Sequence, residues 1–219
     1  MGLFDRFTSS EDDEEPSESE EHVQMPDLVL DDPSAIGMVD GEYQGDEIEL
    51  LAIDSPNKQW RFLYGMTDMD QKAPVVLLDE NFSAVYAKEF GHAINADISN
   101  DGTVAITDRS DPFDVDYIGR FVVMDSNGNE IANEQFDSSL SDCIISSDGK
   151  LAAALEYRDI CIFDTISGEM TGRYEGSIAR PEMEFEGTQK EATLYLLNND
   201  RERAIGIDAS GDVVWRGNS

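Results

Sequence analysis

The sequence predicts an all-β fold, a propeller-like array of about four four-stranded antiparallel meanders preceded by an acidic disordered tail. Three observations predict it. Four short apolar runs close on the same acid: Val75 to Asp79, Phe121 to Asp125, Ile160 to Asp164 and Ala204 to Asp208. The closing aspartates recur every roughly 40–45 residues, a period that holds several short strands per repeat. Turn residues punctuate the chain from about residue 46, and no helical stripe competes over three turns.

The elements follow in order. Residues 1–45 are rich in Ser, Asp, Glu and Pro and read as the tail; residues 46–219 read as the folded domain. A first unit, about 47–90, places strands at Glu47–Ile53, Gln59–Tyr64, Pro74–Leu78 and Phe82–Lys88, and its last turn lacks the glycine of the others. A second, about 93–136, has Ile94–Ile98, Thr103–Thr107, Arg120–Met124 and Glu130–Gln135, with a polar insertion between its second and third strands. A third, about 141–176, has Cys143–Ser146, Leu151–Glu156, Ile160–Phe163 and Glu169–Tyr174. The fourth, about 180–217, has Glu182–Phe185, Ala192–Leu197, Ala204–Ile207 and Val213–Trp215. Asp101-Gly102 and Asp148-Gly149 mark matching hairpins, because glycine accepts the positive φ of a tight turn.

Ser146-Ser147-Asp148-Gly149 followed by Ile162-Phe163-Asp164-Thr165-Ile166-Ser167-Gly168 resembles the repeat of YVTN and WD40-type propellers. Ile207-Asp208-Ala209-Ser210-Gly211 running into Val213-Val214-Trp215 is similar to the PQQ-like repeat. The resemblance covers roughly residues 46 to 216 and implies a β-propeller superfamily architecture, whose functions vary freely. Four blades leave the ring open to three arrangements: a small closed ring, two chains sharing a larger one, or an open stack. Of these, pairing of Val213–Trp215 with Glu47–Ile53 is the expectation, since exposed strand edges need cover.

The chain has 48 acidic and 15 basic residues, a net charge of −33. Seventeen acids and one base (Arg6) fall in residues 1–50, so the excess continues through the folded region. Acid excess with scarce lysine points to a protein adapted to molar salt, where the Debye length is about 3 Å and like-charge repulsion is screened. The same charge argues against nucleic-acid binding, for want of a basic stripe. No apolar run approaches membrane-spanning length, and Met1 to Phe7 forms no secretory signal, so the cytoplasm is the expected compartment. Leu3, Phe4 and Phe7 form a small apolar cluster, read as a frayed terminus or a docking peptide on an acidic tether.

Chemistry-bearing motifs are few. Cys143 and Cys161 have no zinc or disulfide spacing and read as buried, inert thiols. Asp97 to Asp108 follows calcium-loop spacing, but strand, Asp-Gly turn and strand explain the same residues. His22 falls in the tail. His92, Asp142 and Arg180 precede or open first strands and are the candidate binding residues, facing the mouth of a central channel. No catalytic residue, metal ligand or cofactor is assigned. The expected function is a non-enzymatic interaction or scaffold module with a protein partner. The alternative is a propeller hydrolase or lactonase using a carboxylate-bound divalent metal, and a third reading is a decayed sensor propeller.

Overall fold

The computed structural model describes residues 28–65, 73–109, 118–176, 181–188, 191–198 and 200–217. The Leu3–Phe7 cluster, His22, Arg180 and most of the polar insertion lie outside them.

Eighteen strands form four antiparallel sheets, with no α-helix among the described residues. The first sheet holds β1 (Leu28–Leu30), β2 (Met38–Tyr43), β3 (Asp46–Asp54), β4 (Arg61–Gly65), β5 (Ala73–Leu78) and β6 (Ala84–Phe90) in sequence order. The second holds β7 (His92–Ile98), β8 (Val104–Arg109), β9 (Gly119–Met124) and β10 (Glu130–Phe136). The third holds β11 (Leu140–Ile145), β12 (Leu151–Glu156), β13 (Asp159–Asp164) and β14 (Met170–Glu175). The fourth holds β15 (Glu182–Glu186), β16 (Thr193–Leu197), β17 (Arg203–Ile207) and β18 (Val213–Arg216). All sixteen expected strands are present. The array is propeller-like.

The repeating aspartate has a local cause. Each ends the third strand of its meander and accepts two backbone N–H groups of the turn that follows. Asp79 Oδ1 takes Asn81 and Ser83, Asp125 takes Asn127 and Asn129, Asp164 takes Ile166 and Ser167, and Asp208 takes Ser210 and Asp212, all at 2.8–3.0 Å. A short side-chain acceptor just after a strand competes for backbone donors and stops the ladder.

Successive sheets pack face to face. Phe62, Tyr64, Val75 and Leu77 of the first sheet meet Ile98, Val104, Ile106 and Val122 of the second. Phe121 and Val123 on the other face of the second meet Ala152, Ala154 and Phe163 of the third, with Phe121 and Phe163 rings 4.8 Å apart. Ile160 and Ile162 of the third then meet Leu194, Leu196, Ile205 and Ile207 of the fourth. Strands buried on both sides lose the alternating pattern, which is why β12 reads Leu-Ala-Ala-Ala-Leu-Glu.

Two expectations need correction. Residues 28–45, assigned by composition to the disordered tail, include β1 and β2 of the first sheet. Val39 and Tyr43 alternate with the acids Asp40 and Glu42 and are buried, so a period-2 signal lay inside an acid-rich stretch. Nor does β18 pair with Glu47–Ile53: β3 is hydrogen-bonded to β2 and β4, and β18 to β17. Among the described residues, no core cluster joins the first sheet to the fourth.

The first sheet instead closes on itself. In a flat sheet β2 and β6 would stand about 19 Å apart, four steps of roughly 4.8 Å. Yet the Tyr43 hydroxyl on β2 hydrogen-bonds to the Glu89 carboxylate on β6, and the Gln44 amide donates to both, at 2.8 and 3.0 Å. The sheet must therefore curl. Its concave side is a separate core of Val39, Leu50, Leu63, Val76, Leu78 and Ala87, with Leu28 and Leu30 packed against it. Arg61 fastens the approach to β2: it forms a fork on Asp54 at 2.6 and 3.1 Å and donates to the carbonyls of Pro33 and Ala35.

Candidate functional site

The innermost strands of the middle sheets, β7 and β11, are joined by side chains crossing from one sheet to the next. The Asn95 amide donates to the Ser141 carbonyl at 2.7 Å, and the Ile145 N–H donates to Asp97 Oδ2 at 2.9 Å. Cys143 lies between them, its thiol 3.6 Å from the carbonyls of Asn95 and Ala105. Asp142 projects beside this seam and accepts the N–H of Cys143. The inner turns of the first three sheets also link in series: Asn57 of the β3–β4 turn binds Asn100, and the Asn100 N–H donates to the Ser147 carbonyl.

Electrostatics single this seam out. Burial pushes the Asp97 carboxyl up to about 6, with the charge of Asp142 adding to the shift. Burial raises Asp142 as well, and Glu182 of β15 adds like-charge repulsion. Burial raises the Tyr64 phenol, with Cys143 and Asp142 contributing, and lifts the Cys143 thiol well above its ordinary value. Groups from four sheets thus sense one another. Among the described residues, however, no three His, Cys, Asp or Glu side chains stand close enough together to hold a metal ion.

Two of the three sequence candidates are described. Asp142 belongs to the seam. His92 opens β7 away from it, where its N–H donates to Asp108 at 2.7 Å. Asp108 is buried and also receives the Arg120 guanidinium at 2.7 Å, while the side-chain atoms His92 Nδ1 and Arg120 Nε are buried without a hydrogen-bond partner. His92 and Asp142 are therefore engaged in different clusters. Arg180 lies outside the described residues. Sequence reasoning missed Asp97 as a seam residue, although the calcium-loop comparison had picked it out. In the structure that spacing serves a turn: Asp101 accepts from Ser99 and Thr103, Asp97 faces β11, and Asp108 holds Arg120. Both cysteines are buried and free.

No protein-family model and no curated protein matches the chain. Solved structures do resemble it. Hydrazine synthase of Kuenenia stuttgartiensis is 21% identical, with a TM-score of 0.50 over 75% of this chain and 47% of that one. BamB from Moraxella catarrhalis is 16% identical, with a TM-score of 0.48 over 69% and 47%. Hsv2 of Kluyvelomyces marxianus is 9% identical, with a TM-score of 0.49 over 84% and 59%. The chain spans about half the length of the first two. At these identities the likeness concerns fold alone.

Proposed function

We propose that this chain is a non-enzymatic β-propeller-like module for protein interaction or scaffolding, built from YVTN/WD40-like and PQQ-like repeats and adapted to high salt in the cytoplasm. One observation supports it most. Asp97, Tyr64 and Cys143, whose acidity is perturbed by burial, are each tied to the neighbouring sheet's backbone, so a chemically distinctive place in the molecule is a joint between blades. Salt adaptation draws support from β2 and β3, where Asp40 faces Glu49 and Glu42 faces Glu47, all exposed. Like charges directly opposite destabilise a sheet unless ions screen them.

Affinity purification of the full chain from its native host at high salt tests the interaction reading. A reproducible partner is the expected outcome, and none in repeated experiments would overturn it. A melting temperature unchanged between about 0.1 M and 3 M KCl would end the salt reading.

The hydrolase alternative keeps one favourable observation. Asp97, Asp142 and Glu182 come from three sheets, and the charge of Asp142 raises Asp97 while that of Glu182 raises Asp142. Calorimetry with Ca²⁺ or Mn²⁺ showing binding abolished by Asp97→Asn would favour it.

A further inference from the structure

The blade boundaries repeat one contact. At the outer turn of the second, third and fourth sheets, a glycine with positive φ lies against the outer strand of the preceding sheet. A side chain's first carbon at Gly128 would come within 2.9 Å of the Tyr86 ring, and at Gly211 within 2.8 Å of the Arg173 backbone. At Gly168 it would collide with the Ile131 carbonyl. The inner turns of the second and third sheets behave alike, with Gly102 against the Trp60 ring and Gly149 against Asp101. Glycine is needed there for conformation and for proximity.

The first sheet breaks both rules in the same direction. Phe82 (φ 60°) stands at its outer turn and Lys58 (φ 58°) at its inner one. L-residues tolerate that conformation only at a cost, and the groups placed beside them belong to the same sheet: the Arg61 guanidinium lies 5.2 Å from the Phe82 ring, and Lys58 lies 4.0 Å from Asp54. The concave side of that sheet is filled by its own residues. The leading end of the array is finished.

Among the described residues, the outward face of the fourth sheet has no such cover. The residues covered by the next turn lie three to five positions past each sheet's own outer turn: Tyr86, Ile131 and Arg173. In the fourth sheet those positions hold Val214, Trp215 and Arg216, with Val214 56% and Trp215 40% exposed. Trp215 packs edge-on to Tyr195 at 5.8 Å, and the Arg203 guanidinium lies 3.9 Å above the Tyr195 ring. Glu182, Glu184 and Glu186 line the same face along β15, contacted by Arg201 and Arg203. Aromatic and arginine side chains inside a charged rim have the make-up of interface hot spots.

We infer that this face, centred on Val214, Trp215 and Tyr195, docks a β-sheet blade of a different polypeptide, seated as a fifth blade with a glycine hairpin turn over Val214 and Trp215 and basic side chains beside β15. The inference rests on the interaction reading above and names its surface. Continuity with the three internal interfaces assigns the geometry. A second copy is disfavoured, because its own leading turns carry Phe82 and Lys58 in place of glycine and because each copy has a charge of −33.

Site-specific photocrosslinking with the full chain in its native host tests it. Benzoylphenylalanine replaces Val214 in one variant and Tyr157, a 70% exposed residue on the β12–β13 turn, in the control. Mass spectrometry is expected to find a Val214 adduct whose partner residue lies in a glycine-bearing β-hairpin turn. Partner co-purification is expected to fall tenfold or more in both Trp215→Ala and Val214→Glu, the latter a change at an exposed position that leaves the core intact. Adducts at Tyr157 alone overturn this face and leave the interaction reading standing. Adducts joining two copies of this chain, or a Val214 adduct outside any hairpin turn, overturn the assigned partner. Adducts at neither position overturn both.

Discussion

The first and fourth sheets are built from the same repeat and end the array in opposite ways. The first adds two strands, curls until Tyr43 reaches Glu89, and keeps Leu50, Leu63 and Val76 wholly buried. The fourth stays a four-stranded meander whose outward face is a mixture of Trp215, Tyr195, Arg203 and three glutamates. A stack of blades leaves two terminal faces, and a propeller usually removes them by closing. Here one face is sealed by extra chain and the other is left polar and aromatic, so the array has a direction.

The largest expected effect sits at the sealed end. Leu63→Ala should cost about 2–5 kcal/mol in urea denaturation, because Leu63 is wholly buried in the curled core and its truncation leaves a cavity there. Val214→Ala at the other end should stay within about 0.5 kcal/mol. Equal losses would mean that both ends are buried alike.

The seam between the ends should respond to pH. The folded-state value of Asp97, about 6, lies above its ordinary 3.8, so folding favours the protonated form. Its contribution is full below pH 3.8 and is lost as pH rises through 6. The loss is on the order of 1–3 kcal/mol. Asp97→Asn should flatten stability between pH 4 and pH 7, measured at fixed high salt. An unchanged slope would place the titration elsewhere.

The turns give a sharper contrast at matched positions. Gly168→Ala should destabilise by more than about 1 kcal/mol, since the methyl meets the Ile131 carbonyl and the φ is positive. Lys58→Ala, at the unstacked end and with the same sign of φ, should change stability by less than about 0.5 kcal/mol. Thermal melts of both variants decide whether stacking, and not the turn alone, requires glycine.

The smallest effect is electrostatic. Glu49→Lys would set a cation opposite Asp40 and should stabilise the β2–β3 hairpin by about 0.5 kcal/mol in dilute buffer. Hydrogen exchange in molar KCl should show that gain disappearing.

Much of the fold could be read from residues. The Asp-closed runs and Asp-Gly hairpins located sixteen strands, because turn chemistry is local and a side chain such as Asp125 acts on N–H groups two and four residues away. β1 and β2 were hidden by composition: an exposed hairpin face of acids swamped the alternate buried positions Val39 and Tyr43. The candidate site was legible only in part. Asp142 falls on the seam, but its partners Asp97 and Tyr64 come from other sheets, at separations that no spacing rule reaches.

By itself the sequence determined the repeat, the turns and the charge, all of which depend on neighbours along the chain. Tertiary structure alone decided how the ends are finished: that the first sheet curls, that β18 does not pair with β3, and that the outer-turn glycines of the later sheets lie against the preceding blade. Curl and closure depend on which faces find each other in space, and residues far apart in sequence carry no local mark of that choice.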